Sequence, residues 1–215
     1  MRPTLLMDAG GVFFSNVNEE TPFLTSIAER YEADPVVFQA EVAGRQHEYE
    51  SDERTAHEVL ADCLLAAGGA LPLGLDEQWA DELYLSCVSG YGETFAQVER
   101  VRREHPRLRL ALANNEAAHW DRLKNDKHGH FDLFEVLCSS WVVGEVKPSK
   151  AYFDRALERC GGERGRSVLI DDRPAVVAAA EANGLHSVLL EHPSGIHAAL
   201  DAALERLGTS IGGTR

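Results

Sequence analysis

Four short groups of polar residues in this chain carry side chains able to do chemistry together: Asp8, Asn114-Asn115, Lys147 and Asp171-Asp172. Three carboxylates and one lysine would meet in one cleft, and the carboxylates would repel one another unless a further cation joined them. An oxygen-only ligand set of this kind suits Mg²⁺, which keeps several waters and is commonly shared with a phosphate. The lysine would steady both a carboxylate nucleophile and incoming phosphate charge. Each group also has a plainer reading. Asp8 could be a turn-forming aspartate, Asp171-Asp172 a helix cap before Pro174, and Lys147 a solvated loop residue.

The elements that must position these groups are readable from hydropathy. Apolar runs at Thr4–Met7, Leu108–Ala113, Val136–Ser140, Ser167–Ile170 and Ser187–Leu190 predict five strands. Asp8, Asn114-Asn115 and Asp171-Asp172 each directly follow one of them, and Lys147 lies in the loop after the third. Amphipathic stretches at Phe95–Glu104, Lys150–Cys160 and Ala175–Asn183 predict helices, the last closed by Gly184. Strands alternating with helices imply a parallel sheet covered on both faces. In such sheets ligands bind at the carboxyl ends of the strands.

Residues 18–90 break the alternation. They read as helical throughout, with a capping-box pattern at Thr55-Ala56-His57-Glu58 opening a helix to Ala67. So much helix is too long for one crossover and predicts an inserted all-helical cap. The expected division is a core of 1–17 and 91–207, a cap of 18–90, and a tail of 208–215.

In order along the chain, Asp8-Ala9-Gly10-Gly11-Val12, Ala113-Asn114-Asn115, Lys147-Pro148 and Asp171-Asp172 resemble the haloacid dehalogenase-like superfamily with a helical C1 cap. The order separates it from response-regulator receivers, in which the acidic pair comes early and the lysine last. The resemblance implies a Rossmann-like, doubly wound α/β core. It implies Asp8 as nucleophile forming an aspartyl-phosphate and Lys147 as charge clamp. Asn114, Asn115, Lys147 and Gly11 would hold phosphate, and Asp8, the Gly10 carbonyl, Asp171 and Asp172 would hold Mg²⁺.

Two departures handicap turnover. The family's second aspartate, an acid–base group, is replaced by Gly10, and its motif hydroxyl by Ala113. General acid–base catalysis is worth about 10²–10⁴-fold. A good leaving group, the substrate, or a cap residue could make up the loss; the cap-side candidates are Glu19, Glu20, His47, Glu48 and Glu50. The favoured function is a Mg²⁺-dependent phosphatase acting on a small phosphorylated metabolite. The alternative is a catalytically impaired binding or regulatory protein. A dehalogenase fits less well, because it has no use for the Asp171-Asp172 pair. A phosphonate-cleaving relative would want a cap lysine, and no lysine precedes Lys124.

The remaining features bound the answer. A net charge of −14 over 215 residues argues against nonspecific nucleic-acid binding. No apolar run is long enough for a membrane span, and the short apolar start is unlike a signal peptide, so a cytoplasmic protein is expected, monomeric or homodimeric. Cys63, Cys87, Cys138 and Cys160 lack metal or disulfide spacing and read as ordinary thiols. His128-Gly129-His130 lacks a third ligand and reads as a loop. Trp79, Trp120 and Trp141 read as packing residues. Ser139 and Ser140 read equally as substrate contacts or strand-exit polarity, and Arg173 as solvated or paired with the cap.

Overall fold

A computed structural model describes residues 2–208. Five strands form one parallel sheet: β1 (Thr4–Met7), β2 (Arg109–Leu112), β3 (Val136–Leu137), β4 (Ser167–Asp171) and β5 (His186–Leu189). Their order is β3-β2-β1-β4-β5. The chain winds outward in both directions from β1, as in doubly wound folds, which creates a crevice at the carboxyl ends of the central strands. The predicted α/β, Rossmann-like class is therefore what the chain adopts. The predicted tail lies outside the described residues except for Gly208.

Alternation along the central strand explains both layers. Side chains of a strand point to opposite faces in turn. Leu5 and Met7 join the larger core, with Leu110, Leu112, Val168 and Ile170. Leu6 faces the other way with Ala111 and Leu169. The first face is covered by α6 (Gly92–Glu104) and α11 (Ile196–Arg206), the second by α9 (Lys150–Cys160) and α10 (Pro174–Ala182). Burial on both faces is why β1 and β4 read as unbroken apolar runs.

Between β1 and α6 lie only helices: α1 (Val17–Glu20), α2 (Phe23–Arg30), α3 (Pro35–Glu50), α4 (Ala56–Ala66) and α5 (Glu77–Cys87). The Thr55 box forms as read: Thr55 Oγ1 accepts from the Glu58 amide, and the Glu58 carboxylate accepts from the Thr55 amide. Where this segment leaves and rejoins the sheet-bearing part, its two ends pair. Ser15 N–H donates to Ser89 O at 2.9 Å, and Tyr91 N–H to Phe13 O at 2.8 Å. Its inner surface meets α7 (Ala118–His128) through α5, and α8 (Ser140–Val143) through α3.

Two element readings need correction. The third strand is only Val136–Leu137, not Val136–Ser140. Ser139 Oγ is drawn to the buried Asp121 carboxylate at 3.2 Å, and Ser140 already begins α8. The helix read from Phe95 begins three residues earlier, at Gly92. Its first turn lacks the apolar periodicity that marks the rest.

Candidate active site

The sheet brings Asp8, Lys147, Asp171 and Asp172 to one place. Asp8 follows β1, and its amide donates to Ile170 O of β4 at 3.0 Å, extending the ladder one residue past the strand. Asp171 is the last residue of β4 and is fully buried. Lys147 reaches between them, with Nζ 2.9 Å from Asp8 Oδ1 and 2.6 Å from Asp171 Oδ2. One oxygen from each of Asp8, Asp171 and Asp172 lies within 4.8 Å of the others, a spacing that could hold a metal ion.

The charges do not balance. Burial pushes the Asp8 carboxyl up from its ordinary value, against the pull of Lys147 and with the push of Asp172. Burial raises Asp171 in the same way, and Asp8 adds to it. Asp172 is raised too, by burial ahead of Asp171. Burial alone would lower Lys147, but Asp171 and Asp8 outweigh it and hold the ammonium above the usual lysine range. Three carboxylates against one lysine leave an excess of negative charge that a divalent cation would offset. Asp172 Oδ1 is buried with no hydrogen-bond partner. The donor set is all oxygen, and it fits a hard cation.

The asparagines divide the work. Asn115 grips the Lys147 backbone from both sides: its Nδ2 donates to Lys147 O at 3.0 Å, and its Oδ1 accepts from Lys147 N–H at 2.9 Å. Its side chain therefore positions the lysine. Asn114 is buried with both amide atoms unpartnered. A buried amide left this way costs stability unless something completes it.

Gly11 is required by its neighbours, whereas at Gly10 only the end of the Asn16 side chain stands close. A Cβ on Gly10 would sit 2.5 Å from Asn16 Oδ1, and one on Gly11 would overlap Asp172 Oδ2. Gly11 also has a φ of 65°, the left-handed region that favours glycine. Its amide donates to Phe14 O at 2.7 Å, so within this loop that N–H is already engaged. Asn16 Nδ2 donates to Asp172 Oδ2 at 2.9 Å. Asn16 thus fills the space beside Gly10 and orients the Asp172 carboxylate. No motif or periodicity in the sequence marks it.

A cleft opens over the loop. Gly10, Asn16 and Asn115 line one side, and Gln46, Tyr49 and Glu50 of α3 line another. Of the five acid candidates, Glu50 is the buried one that lines this cleft. Burial pushes its carboxyl up to about 7, although a hydrogen bond from Gln46 Nε2 at 2.6 Å opposes this. Glu19 also borders the cleft but is exposed and pairs with Arg173 at 2.7 Å. Glu48 pairs with Arg54 at 3.1 Å. Glu20 is exposed, and so is His47 on α3.

Sequence reading missed a further cluster in the cleft. Lys124 Nζ is 2.6 Å from Glu116 Oε2, which also accepts from Tyr84 Oη at 2.9 Å. The Tyr84 ring stacks on Trp120 at 4.6 Å. Trp120 is core, as expected. Trp79 packs under Arg30 and Trp141 under Arg122, each with a guanidinium over its ring. His130 is buried against Asp121 at 3.3 Å. Ser140 Oγ accepts from Glu116 N–H at 3.1 Å, so both serines serve the scaffold. The cysteines are free thiols.

Fold and geometry define a doubly wound α/β protein with an aspartate–lysine–aspartate cluster at its switch point. The profile of the haloacid dehalogenase-like hydrolases matches residues 21–184, and the chain belongs to that family. It resembles a family enzyme of Bacteroides thetaiotaomicron solved with magnesium and inorganic phosphate. Identity is 18%, coverage 88% of this chain and 94% of that one, and the TM-score 0.66. A phosphatase of the family from Thermococcus onnurineus shares 20% identity over 87% of this chain and 86% of its own, with a TM-score of 0.65. L-2-haloacid dehalogenase from Xanthobacter autotrophicus, with chloropropionic acid covalently bound, shares 18% over 88% and 78%, with a TM-score of 0.60. At such identities the likeness is one of fold. No curated protein sequence matches the chain. Among the described residues, no helix is long and apolar enough to cross a membrane.

Proposed function

We propose that this chain is a Mg²⁺-dependent phosphohydrolase of small phosphorylated metabolites that works through an aspartyl-phosphate on Asp8. The observation that carries the reading is Lys147 bridging Asp8 and Asp171 inside a buried carboxylate cluster that still has excess negative charge. Asp8, Asp171, Asp172 and the Gly10 carbonyl would hold the cation. Mg²⁺ bound there would offset the excess charge, keep the carboxyls ionised and draw charge from a phosphoryl group.

Asp8 then forms a bond to phosphorus as the bond to the leaving oxygen breaks. Lys147 stabilises charge on both partners, and Asn115 holds Lys147 in place through its backbone. The unpartnered amide of Asn114 is suited to a phosphoryl oxygen, and Gly11 keeps the loop close enough to Asp172 for both to share the site. Glu50 takes the role that Gly10 cannot: it protonates the departing oxygen, and its carboxylate then takes a proton from the water that releases Asp8. A carboxyl near pH 7 is matched to both tasks. Residues 18–90 act as the cap over a core of 1–17 and 91–207, and α3 supplies Glu50 from it.

The test is hydrolysis of acetyl phosphate and p-nitrophenyl phosphate, with Mg²⁺ and with EDTA, beside Asp8→Asn. Metal-dependent turnover lost in a folded Asp8→Asn is the expected result. Equal turnover in the variant would remove Asp8 from the mechanism. A second reading, a binding protein with little turnover, draws on Asn16 occupying the space beside Gly10. It predicts Mg²⁺ and phosphate binding with no product from either substrate.

A further inference from the structure

Away from the Asp8 cleft, a second set of ligand-type side chains meets where α4 and α5 approach α7. His57 stands in the first turn of α4, Asp81 in the middle of α5 and His119 in the first turn of α7. His57 Nε2 is 2.9 Å from Asp81 Oδ1, and His119 Nε2 is 2.7 Å from Asp81 Oδ2. One ligand atom from each lies within 4.8 Å of the other two.

We propose that His57, Asp81 and His119 form a site for a transition-metal ion of the Zn²⁺ class, tying the helical segment to the sheet-bearing part. The donor chemistry differs from that of the Asp8 cluster. Two imidazoles and one carboxylate suit Zn²⁺, whereas an all-oxygen set suits Mg²⁺. Tetrahedral zinc with bonds of about 2.0–2.1 Å spaces its ligand atoms about 3.3 Å apart. The two His–Asp separations, 2.9 and 2.7 Å, are each shorter than that, so small side-chain rotations that open them would suffice.

One outer contact already aims a ligand inward, and a second group stands near. The buried Trp120 donates Nε1–H to Asp81 Oδ1 at 3.2 Å, which orients the carboxylate independently of the histidines. The far nitrogen of His57, Nδ1, faces Glu77 Oε2 at 3.7 Å, leaving Nε2 turned to the centre. At that distance the two are not hydrogen-bonded, but Glu77 stands where the outer carboxylate of a metal-binding histidine is commonly found. The three residues also line an open cleft with Glu77 and Arg122, so a fourth position is open to water or a small ligand. The chain separations, 24 residues from His57 to Asp81 and 38 from Asp81 to His119, match no metal-binding spacing. Three helices assemble the set in space.

Zn²⁺ titration of the full chain by calorimetry, in saturating Mg²⁺ to occupy the oxygen cluster, tests this. One Zn²⁺ per chain is expected, retained in Asp8→Asn and weakened at least about tenfold in His119→Ala and in His57→Ala. Zn²⁺ should raise the Tm of the parent and not of His119→Ala. His119 is 47% exposed, so its replacement leaves the fold intact, as circular dichroism will verify, and this variant decides the matter even if His57→Ala misfolds. Failure of the parent to bind Zn²⁺, or parent-like binding by His119→Ala, would overturn the proposal and leave a hydrogen-bonded His-Asp-His junction.

Discussion

At the scale of single residues, Glu50 offers two separable tests. Its carboxyl titrates at about 7 in the folded chain, against 4.5 when free. Between those values the folded state holds a proton that the unfolded chain releases, so stability falls as pH rises from about 4.5 to about 7. Above that window the cost is about 3 kcal/mol. Glu50→Gln removes it. The variant should melt higher than the parent at pH 8 and close to it at pH 4; equal effects at both would contradict a raised carboxyl. Its activity should split by leaving group. Alkyl phosphates should slow by about 10²–10⁴-fold in the first step, whereas p-nitrophenyl phosphate should still give a burst of p-nitrophenolate, which departs without a proton, before turnover slows for want of the base that activates water. Gly11 is the second residue to change. A Cβ there would strike Asp172 Oδ2, Cγ and Cβ together, all at 2.8 Å or less, on a backbone with φ of 65°. Rotation of Asp172 cannot relieve a clash with its own Cβ. Gly11→Ala should therefore lower the Tm and weaken Mg²⁺ binding measured by calorimetry, and unchanged Mg²⁺ affinity would separate Asp172 from the cation.

At the scale of elements, the cleft depends on α3 and α4, which pack on each other. α4 is started by the reciprocal Thr55–Glu58 box. Thr55→Ala removes the side-chain acceptor for the Glu58 amide and should cost about 1 kcal/mol. In a chain of this size that is a Tm drop of about 2–4 °C, read by a thermal melt. Activity should be unchanged, because Thr55 does not border the Asp8 cleft. The box is legible in the sequence, since its two partners are three residues apart. Asn16 is not. It lies in the loop between β1 and α1, and its partner Asp172 is 156 residues away. The same holds for Tyr84, which meets Glu116 only because α5 packs on α7, whereas Lys124 lies only eight residues from Glu116.

At the scale of the whole molecule, a net charge of −14 sits on a chain that also concentrates carboxylates beside Lys147. Cation binding at that point should stabilise the fold by linkage. Mg²⁺ at 100 times its Kd adds about 2.7 kcal/mol. The expected outcome is a Tm that rises with Mg²⁺ in the parent and stays flat in Asp171→Asn. A rise of equal size in that variant would place the cation elsewhere.

The sequence by itself determined the fold class, the order of the strands along the chain and the placing of Asp8, Asn114-Asn115 and Asp171-Asp172 at strand ends. These follow from local rules: apolar runs of strand length, amphipathic helical stretches, caps and breakers. Their meeting at one edge followed from the geometry of parallel sheets. Only the tertiary structure decided which acidic residue of the helical segment lines the cleft, that Asn115 holds the Lys147 backbone while Asn114 stays unpartnered, and that His57, Asp81 and His119 converge. Those outcomes depend on how helices distant in sequence pack. Packing is a contest among many weak contacts spread over the chain, and no single stretch of residues records its result.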